Sequence, residues 1–376
     1  MDADVAVVGL GTMGSMTAWQ LSRQGVSVLG FEQFGIGHDR SAYGGGSRRF
    51  RIASPLVEET PFIKGSYHMF RDLEQEAGQQ LLSYSGALTI GDPDSQRMKN
   101  VMRSIQEYDL RHEILDDHEA MRRYPQHRLL PGEVTVWDEM GGVLRPEQIV
   151  IAAVNRARKL GAQVHSYTEV KDIQADETGV TIIAGEDEKE YRVGKVIVTA
   201  GPWANKLVPN MNKIYSAQRI IMTWFIPESP EQFTEEKFPN FSRLSGGRHI
   251  QGTPAIDGRL VRVSESLERA KYDSADHFDK NVSVEDILGV REAVKELIPN
   301  LNPDPVSIAP FMDGFTTDGL PIVGSTSKNE NVILLCGFSG QGFSQSPAMG
   351  EIAAHLAMGN KTGYDIKHLS PKRFGL

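Results

Sequence analysis

Val5-Ala6-Val7-Val8-Gly9-Leu10-Gly11-Thr12-Met13-Gly14 lies at the start of this chain, and Val28-Leu29-Gly30-Phe31-Glu32 follows one helical stretch later. Residues 5–8 are a short apolar run and read as a buried strand. Residues 13–24 read as a helix closed by Gly25, and 27–31 as a second strand. Between strand and helix, Gly9, Gly11 and Gly14 have the GxGxxG spacing. Each glycine has a physical reason: Gly9 for the tight turn, Gly11 for backbone approach to a pyrophosphate, Gly14 for close helix–strand packing. Thr12 and Met13 carry the first N–H groups of the helix, whose N-terminus stabilises phosphate charge. Glu32 closes the second strand 18 residues after Gly14, at the spacing of a ribose-binding carboxylate, and Gln33 stands beside it. The motif alone leaves nicotinamide and flavin dinucleotides open.

Three features favour FAD. The motif sits at residue 9, so the cofactor region comes first. The sheet is interrupted by a long Gly-, Ser- and Arg-rich loop at 35–51 and resumes near 196–200. Loops of that length inside a compact domain are usually functional or disordered. A second glycine-rich strand–helix turn, Gly337-Phe338-Ser339-Gly340-Gln341-Gly342-Phe343, follows the apolar run 332–336. Its backbone N–H groups can face a flavin ring.

The rest of the chain reads as mixed α/β, α+β overall. Helices are expected at 61–75, 94–109, 146–161, 283–297 and 347–358. Strands are expected at 86–90, 163–167, 169–174, 180–183 paired with 190–193, 196–200, 218–225, 259–263, 307–315 and 332–336. Between 216 and 268 short apolar runs alternate with Gly and Pro turns, the texture of an antiparallel sheet. The expected architecture is a Rossmann-like FAD-binding domain from residues 1–85, 145–215 and 320–376. An antiparallel-sheet substrate domain would come from 86–144 and 216–319.

Composition bounds the function. The 376 residues are 40% hydrophobic and 24% charged, with a net charge of -9. An acidic balance of this kind speaks against a nucleic-acid partner. The single cysteine, Cys336, can form neither an internal disulfide nor a thiolate cluster. No apolar run approaches the roughly 20 residues of a membrane span, and residues 1–4 do not resemble a signal peptide. A cytoplasmic protein without membrane partners is expected. No HExxH, CxxC or GxSxG occurs, so no metal site and no serine nucleophile is expected. His249 and His277 read as loop or surface histidines.

From end to end, the chain resembles the monomeric sarcosine oxidase and N-methyltryptophan oxidase family of FAD-dependent amine oxidases. The resemblance is carried by 5–32, by Gly44-Gly45-Gly46-Ser47-Arg48-Arg49-Phe50-Arg51, by Gly141-Gly142-Val143-Leu144-Arg145-Pro146, and by Val198-Thr199-Ala200-Gly201-Pro202-Trp203. Thr317-Asp318-Gly319-Leu320-Pro321-Ile322-Val323-Gly324 and 337–343 complete it. It implies that Ser47, Arg48 and Arg49 lie near the flavin, that Val170 meets the adenine, and that Gly201 and Trp203 border the cofactor. It implies that Arg51 holds a substrate carboxylate, for which its guanidinium fork suits. The implied reaction oxidises a small secondary amine to an imine, which water hydrolyses, while oxygen reoxidises the flavin to give hydrogen peroxide. A monomer is implied.

Three departures from the family pattern stand out. The cysteine that commonly tethers FAD falls here on Phe311, so FAD is expected to bind non-covalently, with Cys336 a buried small hydrophobe. The lysine near flavin N5 falls on Arg262, which keeps the charge but stays protonated; a dehydrogenase using another acceptor is therefore an alternative. The second carboxylate-anchoring lysine falls on Ser344, leaving Arg51 as the anchor. Gln341, Ser344 and Asp313 become candidate substrate contacts, which makes a fructosyl amino acid oxidase a further alternative. A flavin-binding protein without turnover is disfavoured by Arg51.

Overall fold

The computed structural model describes residues 1–256, 258, 260–266 and 270–376. At its centre, the strand Ala3–Val8 pairs in parallel with Val28–Phe31 on one side and with Lys189–Val198 on the other. Gln163–His165 and Val332–Cys336 extend the parallel set outward, and Ile322–Ser325 closes it antiparallel. The first strand shows why its run is continuously apolar. Val5 and Val7 pack into one core layer, and Ala6 and Val8 into the layer on the opposite face. The helices Thr12–Arg23 and Ser346–Ala357 cover one face. They approach so closely that a side chain at Gly350 would sit 2.7 Å from the Met16 backbone.

Lys189–Val198 is longer than its parallel neighbours. Its first half leaves the parallel set to pair antiparallel with Gly179–Ala184, which brings the expected partners 180–183 and 190–193 together with Val180 against Val193 and Ile183 against Glu190. Val170–Asp176 completes that meander.

A nine-stranded sheet stands apart from the first. Tyr215–Phe225 and Ser307–Thr316 pair antiparallel from Tyr215 against Thr316 to Trp224 against Ser307. Val261–Glu265, Arg248–Thr253 and Asn240–Ser245 follow antiparallel. The expectation of an antiparallel sheet holds except at one pairing: Asn240–Ser245 runs parallel to Ala87–Gly91. Val134–Asp138 and His112–Leu115 then finish the sheet. The expected strand at 259–263 is seen as Val261–Glu265. Arg259, at its start, and Glu268, at the end of the 216–268 stretch, lie outside the described residues.

A third, three-stranded sheet joins Arg48–Phe50, Gly142–Leu144 and Leu82–Ser83. The loop expected at 35–51 therefore ends in a strand. The Asn240 amide fastens this small sheet to the large one, donating to the carbonyls of Gly142 at 2.7 Å, Gly86 at 3.1 Å and Phe50 at 3.3 Å. Arg48 to Arg51 is thus suspended between the two larger sheets. No helix among the described residues is long and apolar enough to cross a membrane.

Candidate active site

The carboxyl ends of four parallel strands open onto one cleft, lined there by Val8, Phe31, Thr199 and Cys336. Parallel sheets bind ligands at this edge. The space enclosed, open solvent at its mouth included, is about 1130 Å³. Gly9, Gly11, Thr12 and Met13 line its floor. Gly9 has φ +87°, and a Cβ there would meet the Thr199 carbonyl oxygen at 2.8 Å. Gly14 stands behind the lining, where a Cβ would fall 1.8 Å from the Gly9 carbonyl oxygen. The helix Thr12–Arg23 begins at Gly11 with no side-chain cap. Its first-turn N–H groups are therefore left for a ligand.

Glu32 is 3% exposed. Its carboxylate accepts the Leu10 N–H at 2.8 Å and the Phe34 N–H at 3.0 Å, which fixes it at the cleft wall with lone pairs to spare. Burial pushes its pKa up against the pull of those N–H groups. His38 Nε2 lies 3.5 Å away, and burial pushes that imidazole down to about 4, so it is neutral at pH 7. Tyr43 also lines the cleft and keeps a buried hydroxyl without a partner among the described residues. Gln33, Val170, Gly201 and Trp203 also line the cleft. The Tyr215 hydroxyl holds the Gly201 carbonyl at 2.6 Å, and Trp203 Nε1 donates to Asp276 at 2.9 Å.

Gly337, Phe338, Gly340 and Gly342 line the far end; Gln341 does not, and its carbonyl accepts from Gln345. Asp313 lines the cleft and braces this turn, accepting the N–H groups of Gly340 and Gly314 at 2.8 Å each. The Ser344 hydroxyl is spent on the Arg49 carbonyl at 2.9 Å. Arg48 reaches the cleft while donating to the carbonyls of Ala42, Gly44 and Ser47. Cys336 is buried, and burial pushes its thiol up to about 12, as an inert small hydrophobe requires. Phe311 is 4% exposed and packs where a Gly44 side chain would go.

Alternation along an extended chain sends Ser47, Arg49 and Arg51 to the side opposite Arg48. Ser47 and Arg49 meet the polar face of the nine-stranded sheet. Ser47 and Thr253 share a hydroxyl hydrogen bond of 2.8 Å, and Arg49 donates to Gln251. Arg262, 3% exposed, has Nε 3.4 Å from the Thr253 hydroxyl and Nη1 3.7 Å from Met222 Sδ. Burial, with Arg48 adding repulsion, lowers Arg262 to about 9. Arg51 Nη1 lies 3.4 Å from the Ser54 hydroxyl, and Glu59 and Asp138 act on it as counter-charges. The structure therefore divides the expected residues. Fourteen cofactor candidates and Asp313 meet at the cleft, while Ser47, Arg49, Arg51 and Arg262 are not among the residues that line it.

Sequence reading missed Arg97, Glu59, Gln251 and Ser242. Arg97 Nη2 donates to the Ser242 hydroxyl at 2.8 Å, and that hydroxyl also meets His249 Nε2 at 3.1 Å. His249 is thus half-buried on a strand rather than in a loop, whereas His277 is exposed. One signal for Arg97 was available. It is the second residue of the helix Gln96–Tyr108, whose N-cap is Ser95. A cation in the first turn opposes the helix dipole, so another demand holds it there.

The cleft fits FAD on its own features: uncapped helix N–H groups, a glycine turn that no Cβ could enter, a fixed buried carboxylate and a tyrosine hydroxyl with no partner among the described residues. Residues 4–356 match the model of the FAD dependent oxidoreductase family. The chain is 30% identical to a monomeric sarcosine oxidase of Streptomyces avermitilis, over 98% of this chain and 97% of the relative. It is 26% identical to an N-methyl-L-tryptophan oxidase of Salmonella heidelberg over the whole of both. Its fold matches the open form of NikD, an amino acid oxidase of nikkomycin biosynthesis, with a TM-score of 0.84 at 22% identity, over 98% of this chain and 97% of that one. By this full-length agreement of sequence and fold the chain belongs to the FAD dependent oxidoreductase family, and the protein is an FAD-dependent oxidoreductase.

Proposed function

We propose that this oxidoreductase oxidises the C–N bond of a secondary amine, an N-substituted amino acid of the sarcosine type, with oxygen as the final acceptor. The observation that carries the reading is Arg51, three residues along the chain from the cleft-lining Arg48, with a buried Nε that has no acceptor among the described residues. A guanidinium there can take a carboxylate bidentately and turn the adjacent amine toward the cleft. Relatives named for sarcosine and N-methyl-L-tryptophan support an amino acid with an N-methyl group.

Bound FAD supplies the two-electron acceptor. The chain supplies the rest. Gly9, Gly11 and the helix start hold the dinucleotide phosphates, Glu32 and Gln33 the ribose end, and Val170 the adenine. Arg48 and the turn 337–342 stand at the ring end. Arg262 places a buried cation beside that end, where it stabilises negative charge that develops on reduction. No side chain is needed as a base if the amine binds uncharged. Phe311 at the expected tether position and a protonated Cys336 thiol support FAD held without a covalent bond. We read the protein as a cytoplasmic monomer.

The test measures peroxide release in air from purified protein given sarcosine, N-methyl amino acids or fructosyl-glycine. The account expects an N-methyl amino acid to lead. A stronger response to fructosyl-glycine would transfer the reading to Amadori products. Amine turnover with a dye but no peroxide would make the protein a dehydrogenase.

A further inference from the structure

Arg49 and Arg97 come from different elements and land on neighbouring strands. Arg49 donates to Gln251 and Arg97 to Ser242. Ser242 and Gln251 are cross-strand partners, so their Cβ atoms stand about 5 Å apart. The Arg97 charge thereby lies within electrostatic reach of Arg49. Arg51, on the same side of the chain as Arg49, completes a group in which Arg49 senses the charges of Arg51, Arg97 and Arg262, and Arg97 that of Arg51.

Such a group is costly. Like charges held partly out of water repel, and each has lost part of its hydration. Burial and mutual repulsion hold Arg49 well below the usual guanidinium range and bring Arg97 down to about 10. Arg51 has two carboxyls within electrostatic reach, Glu59 and Asp138. The charges acting on Arg49 and Arg97 are, among the described residues, those of other arginines. Arg49 Nη1, Arg97 Nε and Arg51 Nε are also buried donors with no acceptor among the described residues. Half-buried charges with buried, unpaired N–H groups are satisfied by a partner of opposite sign. One substrate carboxylate on Arg51 would leave the Arg49–Arg97 pair uncompensated.

We propose that Arg49 and Arg97, anchored by Gln251 and Ser242, form a second anion subsite beside Arg51, and that the substrate is a secondary amine carrying two carboxylates. The amine part rests on the function proposed above; the subsite rests on the arginine geometry. The second carboxylate can sit on the nitrogen substituent or on the amino acid side chain.

The test uses thioethers, which replace the reacting N–H by sulfur and cannot be oxidised in its place. (Methylthio)acetate, with one carboxylate, is compared with thiodiacetate and its homologues carrying the second carboxylate one or two carbons farther out. Affinity for the FAD-loaded enzyme is read from the change in flavin absorbance and from calorimetry. At least one dicarboxylate should bind about tenfold tighter or more, as a charge-assisted pair requires. Arg97→Gln should bring the ratio below about threefold. Equal affinities, failure of every thioether to bind, or a preference that survives in R97Q would overturn the subsite. Bleaching of the flavin by sarcosine without a dicarboxylate preference would sink this inference and leave the oxidase reading intact. A dicarboxylate preference with no amine able to bleach the flavin would do the reverse.

Discussion

One oxygen of the Glu147 carboxylate accepts the backbone N–H of Gly45 at 2.7 Å. The same oxygen takes the Gly46 N–H at 2.9 Å. Both glycines have positive φ, +100° and +78°, so the chain turns its N–H groups inward toward a carboxylate that begins the helix Pro146–Lys159. Arg48, next along, takes its bearing from this loop through the carbonyls of Ala42 and Gly44.

Glu147→Ala should therefore loosen the loop more than the fold. The expected loss in urea unfolding is about 1–2 kcal/mol, since Gly46 is exposed and water can replace part of the interaction. FAD affinity should fall in the same variant. Unchanged FAD affinity would show that the loop is not fixed by Glu147.

Gly14→Ala forces a methyl group to within 1.8 Å of the Gly9 carbonyl oxygen and 2.6 Å of the Thr199 hydroxyl. The first obstacle is backbone, so the helix itself must move. A cost of about 3 kcal/mol in chemical denaturation is expected, together with a colourless purified protein. Wild-type stability and full flavin content would contradict the packing described here.

Burial pushes the Glu59 carboxyl up to about 7, against the opposing pull of Arg51. Its folded pKa then lies above the ordinary 4.5. The folded chain keeps this proton through a window in which the unfolded chain has released it, so stability falls as pH rises. The contribution is complete below about pH 4.5 and lost as pH passes through about 7. Glu59→Gln removes it, and the stability of the variant relative to wild type should grow by on the order of 2–3 kcal/mol from pH 5 to pH 8. Parallel unfolding profiles for the two proteins would refute the raised pKa.

Arg262→Met removes a buried cation while filling similar space. Rapid mixing of reduced enzyme with oxygen should show reoxidation slowed about tenfold or more. Anaerobic reduction by amine should change much less, since Arg51, the proposed carboxylate anchor, is untouched. Equal slowing of both half-reactions would assign Arg262 to substrate binding instead.

The parts of this site legible in the sequence are those set by local backbone geometry. Gly9, Gly11 and Gly14 can be read because a turn, a close approach and a helix–strand contact each demand glycine within a few residues. The continuous apolar run Val5–Val8 is legible because both faces of its strand are buried. Arg97 and Gln251 were not legible. They meet Arg49 and Arg51 through the pairing of Asn240–Ser245 with Arg248–Thr253 and with Ala87–Gly91, contacts of long sequence separation. Strand Arg48–Phe50 was hidden for a similar reason: its residues are charged, and its partner Gly142–Leu144 lies far along the chain. His249, expected in a loop or on the surface, stands on the strand Arg248–Thr253, directly after the short turn at Gly246-Gly247.

The most direct measurement is anaerobic titration of the FAD-loaded protein with N-substituted amino acids, sarcosine and its dicarboxylic analogues among them, followed at the flavin absorbance. The account predicts that a secondary amine bearing a carboxylate bleaches the flavin, and that Arg51→Gln weakens the effect about a hundredfold or more. A flavin that no such amine reduces, or one reduced equally well by amines lacking a carboxylate, would contradict it.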